Sequence, residues 1–510
     1  MNHCISQSAC AEARAPVSRA AISGSRRRWA RRALVALSLA WVLLTSGCIL
    51  RPAGTAEEQA QLAEMGKPYA PLFAQRVLPA LPAAPSWNDV LHRAFLANGD
   101  LEAAYFEWAA AVQRINMAAA WPNTNLSLGF EYMFSAGKMK AWDRTTLSAQ
   151  PDPMANLALP VKPAQAGVVA LDRARAAGMR FRAKKFDLQK QVLQAWLDYA
   201  LMAEQVRIQR DNVSLLKLIS DTAADRVRAG APQQDLLKSQ IAHRLAESEL
   251  ARMESQERAM GAMLAGMLAL SPGAPPTPPG ALPEPRRLQA DDAALIAAAV
   301  DANPELSALA RDVAARENAL ELARMQYLPD INPVGAVNGS ASQSLGAMIS
   351  IPINIPMIRA SVEESRAMLR ATQAMARQTR SDRAAAFVAA LYAMRNAEHQ
   401  ATLFAETVLP KAEQALTSSR QSYAAGQVSF VELIDSQRTL LDVRLLVAQA
   451  RVEREKRLAE IEALAGVDVE TMGAGDTNGN TKHEDRGKDV THEEIKHEQA
   501  QEKNDSKLPP

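Results

Sequence analysis

The side chains able to do chemistry in this sequence sit mostly at its two ends. The three cysteines are Cys4, Cys10 and Cys48, so the body of the chain has no disulfide framework and no thiolate metal site. Cys48 has a reactive context. It closes Leu44-Thr-Ser-Gly-Cys48, behind a short apolar run (Ala33–Leu44) and a basic region of Arg26, Arg27, Arg28, Arg31 and Arg32, which is the order of an export signal. Near the other end, His483, His492 and His497 are set among Glu484, Asp485, Glu493, Glu494 and Glu498. Imidazole with carboxylate suits divalent transition metals, but a hydrophilic tail must be ordered before it can bind, and a solvated tail is the plainer expectation.

Between the ends there is little reactive chemistry. His92, His243 and His399 are isolated on helical patterns, and no nucleophile, base and orienting acid gather around a turn. No phosphate loop is present, and no cofactor is expected. Asp435 and Asp442 share one face of the last helix, where carboxylates could form a gating ring or simply meet solvent. Most of the 19 methionines fall at helical core spacing, where Met fills gaps.

The elements that would position these groups are mainly helices. Only 5% of the 510 residues are aromatic, while Ala and Leu abound and glycine is scarce. The net charge of +2 gives no field that would hold nucleic acid.

The organising feature is a turn that occurs twice. Arg228-Ala-Gly-Ala-Pro-Gln-Gln-Asp-Leu-Leu-Lys-Ser-Gln240 returns as Tyr423-Ala-Ala-Gly-Gln-Val-Ser-Phe-Val-Glu-Leu-Ile-Asp-Ser-Gln437. In each, glycine after a long helical pattern closes one helix in the left-handed conformation, and Pro232 or Ser429 starts the next. Around Gly230 lie predicted helices of about Val168–Arg228 and Asp235–Leu270. Around Gly426 lie about Arg359–Ala424 and Phe430–Leu464, with Pro410 as the one expected kink. Ala302-Asn-Pro-Glu-Leu306 echoes Ala97-Asn-Gly-Asp-Leu101, and Ala265-Gly266 and Ala465-Gly466 are expected to close the two hairpins alike.

Each repeat also carries a stretch whose period changes from helical to two. Asn125–Phe134 puts Leu126, Leu128, Phe130 and Tyr132 on one face and Ser127, Gly129 and Glu131 on the other. A polar loop, Ser135–Pro153, separates it from a second run at Leu157, Leu159 and Val161. In the second repeat Val334–Ser342 is a short, glycine-rich strand candidate. Leu345–Ile355 is a better one, with Ile349 and Ile353 on its apolar face and Ser350 and Asn354 on its polar face. Prolines at Pro160 and Pro352 mark the passage from strand to helix.

The domain reading is therefore a signal peptide at 1–47, a lipidated tether at 48–85, and a first repeat at 86–270. A Pro-rich linker at 271–285, a second repeat at 286–466 and a charged, disordered tail at 467–510 follow. The tether is expected to be extended, and a single helix is expected from Ser86 to about Ala120.

Leu44–Cys48 resembles the lipobox of bacterial lipoproteins, which implies cleavage before Cys48 and acylation of that cysteine as a membrane anchor. Ile49, rather than Asp, in the next position favours the outer membrane. The whole order (helix, two strands, long helix, Ala-Gly turn, long return helix, twice over) resembles the TolC-like outer-membrane efflux protein family across roughly Ser86–Val467. That resemblance implies a mainly α fold with a small transmembrane β part: a homotrimer whose protomers give four strands each to one 12-stranded β-barrel and whose hairpins form an α-barrel. It implies a passive channel, not an enzyme, fed by an inner-membrane pump and a periplasmic adaptor. Adaptor contact would fall at Gly230, Gly426, Val428 and Ser429. Leu126, Phe130, Ile349 and Ile353 would face lipid, and heavy-metal cations or drugs would be the cargo. Two other readings compete. A coiled-coil spacer lipoprotein without a pore would have no use for alternating strands, and an adaptor would carry one hairpin between β domains.

Overall fold

The computed structural model describes residues 48–467 except 84, 124, 135–136, 138, 153–156, 272, 287–291, 293–294, 297–301 and 341. The signal region, the tail, and His483, His492 and His497 lie outside the described residues. In chain order the elements are β1 (Cys48–Ile49), α1 (Thr55–Met65), α2 (Trp87–Ala97), α3 (Gly99–Ala118), β2 (Ala120–Trp121), β3 (Leu126–Tyr132) and β4 (Thr145–Pro151). Then come α4 (Val161–Arg228), α5 (Gln233–Met267), α6 (Pro304–Arg324), β5 (Asp330–Asn338) and β6 (Ser342–Ser350). The second repeat ends with α7 (Ile355–Leu403), α8 (Leu409–Ala424) and α9 (Phe430–Ala465).

The described chain divides into two units. The first contains the residues up to Val192 with Ala262–Pro276 and Asn303–Ala385, and it holds all the strands. Its helix starts follow from side-chain caps. Ser86 and Asp89 form a reciprocal capping box on α2, with the Asp89 carboxylate accepting from the Ser86 amide at 2.9 Å. Hydrogen bonds from the Ser86 hydroxyl and amide hold the Asp89 carboxyl below the usual carboxylate range. The single helix predicted for this stretch is broken at Asn98, whose side chain accepts from the Leu101 amide and starts α3. Asn303, its counterpart in the second repeat, caps α6 by accepting from the Glu305 and Leu306 amides. The shared Ala-Asn-x-Asp/Glu-Leu motif is thus an N-cap in both copies.

Residues 48–85 differ from the extended tether predicted for them. Flanking prolines disguise a helix, α1, whose Glu58 is buried and accepts a hydrogen bond from Trp108 Nε1 at 2.7 Å. Trp108 stacks on Phe181, and Tyr105 meets both edge-on. Further along, Arg76 pairs with Glu102 at 2.9 Å and lies over the rings of Tyr69 and Phe73. Burying aromatic surface and pairing a buried carboxylate is what fixes this segment to α3 and α4.

The four-stranded sheet has the order β3-β4-β5-β6, antiparallel throughout. Its second strand differs from the sequence prediction. The partner of β3 is Thr145–Pro151, inside the predicted loop, whereas Leu157 and Leu159 precede α4 and Val161 begins it. The backbone amide of Leu157 donates to the Asn332 side chain at 2.7 Å, and Lys162 pairs with Asp330 at 2.7 Å, so this stretch is tied to β5 by side chains instead of by a ladder.

The second unit comprises Leu193–Gly261, Thr277–Ala302 and the residues from Ala386 onward. One apolar cluster joins Leu216 and Ile219 of α4, Leu416 and Tyr423 of α8, and Phe430, Leu433 and Leu440 of α9. Another joins Phe387, Leu391 and Met394 of α7 to Leu458 and Ile461 of α9. The linker is fastened at its end: Arg286 pairs with the buried Glu455 and Glu462, and Arg454 donates to the Arg286 carbonyl. Where Pro410 is the expected kink, a π turn, Phe404–Val408, interrupts the helix and ends two residues before that proline. Gly466 caps α9 in the left-handed conformation, but Gly266 does not cap α5. There the helix runs to Met267 and Ala269 takes the positive φ of 50°.

Candidate functional site

Two regions bear on function, one in each unit. The first is the sheet. Residues directly opposite in an antiparallel ladder share a face, so the register sorts every side chain. One face carries the rows Leu128-Ala149-Gly335-Leu345 and Phe130-Leu147-Val337-Gln343, continued by Leu126 opposite Pro151, Ile331 opposite Ile349 and Pro333 opposite Ala347. The other carries Gly129-Ser148-Ala336-Ser344 and Glu131-Thr146-Asn338-Ser342, with Ser127 opposite Gln150 and Asp330 opposite Ser350. An apolar face and a polar face run through all four strands.

The apolar face is not covered by the protein's own core. Phe130 is 71% exposed, Ile349 62% and Leu345 85%, and Leu126 is also exposed. Soluble sheets bury such a face, so a row of exposed large apolar side chains calls for an apolar surrounding. Strands of seven to nine residues reach roughly 24–30 Å, close to the height of the apolar band of a membrane barrel. Tyr132 and Phe134 meet edge-on at one end of β3, with the exposed Trp142 following, and Trp121 precedes its other end. Aromatic residues at both ends are the girdle pattern of such barrels. β3 and β6 each have one partner among the described residues, so both outer edges are open.

Ile353 lies outside the strand. β6 ends at Ser350, because Pro352 has no amide to continue the ladder, and the chain turns into α7 with the Ile355 amide donating to the Ile353 carbonyl. Ile353 is exposed there, three residues past the last paired position.

The second region is the pair of hairpin ends. Gly230 has φ 100° and Gly426 φ 77°, conformations that a Cβ makes costly. Ser429 caps α9, accepting from the Glu432 amide, and Val428 packs against the adjoining cluster. Arg226, four residues before Gly230, lies over the ring of Tyr423, three before Gly426, at 4.2 Å from its centroid. Tyr423 is buried and meets Phe430 edge-on. Burial pushes the Tyr423 phenol up, the nearby Asp235 carboxylate pushes it further, and the Arg226 guanidinium opposes both. Behind this pair, Gln437 of α9 donates to the Asn212 side chain of α4 in a buried contact, and Asn212 in turn donates to Gln209.

Sequence reading missed these inter-hairpin contacts. The signal was the repeated Ser-Gln after each turn. Asp435 and Asp442 are both exposed on α9, and neither is brought into an ion pair among the described residues. Those residues contain no cluster of His, Cys, Asp and Glu able to hold a metal ion, and no helix among them is long and apolar enough to cross a membrane.

The family model for outer membrane efflux protein matches residues 295–467. No curated protein sequence matches the chain. Among solved structures the chain is similar to CusC, at 16% identity over 82% of this chain and 98% of that one, with a TM-score of 0.63. It is similar to the outer membrane protein VceC of Vibrio cholerae, at 16% identity over 75% and 96%, TM-score 0.61. The open-state MtrE outer membrane channel of Neisseria gonorrhoeae matches at 14% identity over 77% and 94%, TM-score 0.61. At such identities the likeness concerns the fold.

Proposed function

We propose that this chain, which carries the outer membrane efflux protein domain on the fold of TolC-like, non-enzymatic transport channels, is the outer-membrane duct of a tripartite efflux system. One observation carries this reading. The four-stranded sheet has an apolar face, a polar face and two open edges, and in lipid an open edge leaves main-chain groups without partners. Four strands are too few to close around a pore. Copies of the chain must therefore join edge to edge, and a homotrimer gives twelve strands, with Leu126, Phe130 and Ile349 toward lipid and Ser127, Glu131 and Ser350 toward the lumen. The hairpins then lie on the periplasmic side, where Gly230, Gly426, Val428 and Ser429 meet an adaptor that relays small solutes from an inner-membrane pump.

Lipid anchoring at Cys48 fits the same arrangement. The backbone of Cys48–Ile49 pairs with that of Ala120–Trp121, a few residues before β3 begins, so the proposed lipidation point lies on a stretch of chain close to the start of the sheet. A spacer without a pore is disfavoured by the exposed apolar face.

The purified mature chain should run as a trimer and conduct ions across a planar bilayer. A monomer without conductance overturns the reading.

A further inference from the structure

The first half of α7 carries a row of arginines with little to meet it. Arg359, Arg366, Arg370, Arg377 and Arg380 are spaced by seven, four, seven and three residues, which a helix places on one side. From first to last the row rises about 32 Å. Arg366 is paired with Glu363. The other four are exposed, and none of them is in an ion pair among the described residues. The remaining acids of this stretch, Glu364 and Asp382, fall by the same spacing on the opposite flank, with Met357, Met368 and Met375. Like charges three and four residues apart, as in Arg366 with Arg370 and Arg377 with Arg380, destabilise a helix, so this face favours an acidic cover.

Such a cover is carried by the chain itself. Val467, the last described residue, packs against the cluster of Phe387, Leu391 and Ile461. Arg380 lies seven residues before Phe387 on α7, about 10 Å along the helix axis. Residues 468–510 hold 11 Asp or Glu against six Lys or Arg. They begin with the glycine-containing Met472–Asn480, and the charged run follows from Lys482. A coil from Val467 to Glu493 has a mean reach of about 25–31 Å, which falls within the span of the arginine row. The other end of the chain already serves the first repeat in this way: Glu58 meets Trp108 and Arg76 meets Glu102, fastening residues 48–76 over α3.

We propose that the acidic segment 482–510 docks along the arginine face of α7 of its own chain, held by charge, and covers the second repeat as the amino-terminal segment covers the first. The inference goes beyond the channel reading and does not depend on the pore.

From Cys48 onward the chain has no other cysteine, which makes the contact testable by cross-linking. Ala374→Cys, four residues from Arg370 and three from Arg377, is combined with Gln499→Cys in the full mature chain, and the unsubstituted chain measures the background from Cys48. Oxidation at low salt should close an internal link, seen as a faster-migrating monomer. Raising the salt to about 1 M should slow closure about tenfold, because exposed charges are then screened. Adding Arg370→Glu with Arg377→Glu should slow it to a similar degree, while Arg370→Lys with Arg377→Lys should leave the rate unchanged. If the charge-reversed variant does not fold, the salt series on the cysteine pair alone decides. A link that forms at one rate in low and high salt would overturn the docking. So would covalent multimers in place of the internal link, or a Lys variant as slow as the Glu variant, and each of these results leaves the channel reading standing.

Discussion

The guanidinium of Arg226 lies 4.2 Å from the ring centroid of Tyr423, so the end of the first outgoing helix is held against the end of the second by a cation over an aromatic face. Tyr423 is buried between that cation and the ring of Phe430. Tyr423→Ala would empty the site and should cost about 3–5 kcal/mol by the large-to-small rule for aromatic residues. Tyr423→Phe keeps the ring under Arg226 and should stay within about 1 kcal/mol of the parent. Urea unfolding followed by circular dichroism separates the two variants. Equal losses would mean that the ring does not hold the hairpins together.

Gly426 turns the chain at φ 77°. Gly426→Val places a β-branched side chain in the left-handed region at a cost of about 1–2 kcal/mol and distorts the turn that presents Val428 and Ser429. Export should fall while the protein still fractionates with the outer membrane. Resistance to an exported toxicant, measured in a deletion strain carrying the variant, should drop toward that of the deletion. Unchanged resistance would remove the turn from the mechanism.

Much of this architecture is legible in the residues themselves. Gly230, Gly426 and Ser429 announce their turns because glycine and an N-cap serine have local chemistry that tertiary context does not override. The alternation at Leu126–Tyr132 is equally plain, since both of its faces have large, distinct side chains. β4 is hidden because Thr145–Pro151 contains one large apolar residue, Leu147, and its two faces separate only when its neighbours' register is known. The helix Thr55–Met65 is masked by prolines on both sides, and its stability comes from Glu58 meeting Trp108, a contact between distant positions. Arg226 over Tyr423 and Gln437 against Asn212 escape for the same reason. Periodicity reports which face of a helix is apolar, not which helix lies opposite.

Phe130 on the apolar face and Glu131 on the polar face are neighbours in sequence with opposite surroundings. Phe130→Arg should destabilise the inserted channel by about 2–4 kcal/mol if the residue sits near the bilayer midplane. Glu131→Gln should leave assembly intact and lower the preference for cations, read as a shift in reversal potential under a salt gradient. A tolerant Phe130 together with an inert Glu131 would mean that the faces are assigned the wrong way round.

Tyr69 fastens the amino-terminal segment: its hydroxyl donates to the Phe95 carbonyl at 3.2 Å, and its ring lies beneath Arg76. Burial pushes its phenol up to about 12, with Arg76 opposing and Glu102 reinforcing the shift. The unfolded chain has the ordinary value of 10.0 and loses this proton first, so the contribution of Tyr69 is fully present below pH 10 and disappears as pH rises toward 12. Unfolding midpoints measured at pH 8, 10 and 11 should therefore fall faster for the parent than for Tyr69→Phe. That variant should lose about 1 kcal/mol at pH 8, from the missing hydrogen bond, and have a flatter profile above pH 10. Parallel profiles would show that the phenol ionises as freely in the folded protein as in the unfolded chain, and that the segment is not packed over it.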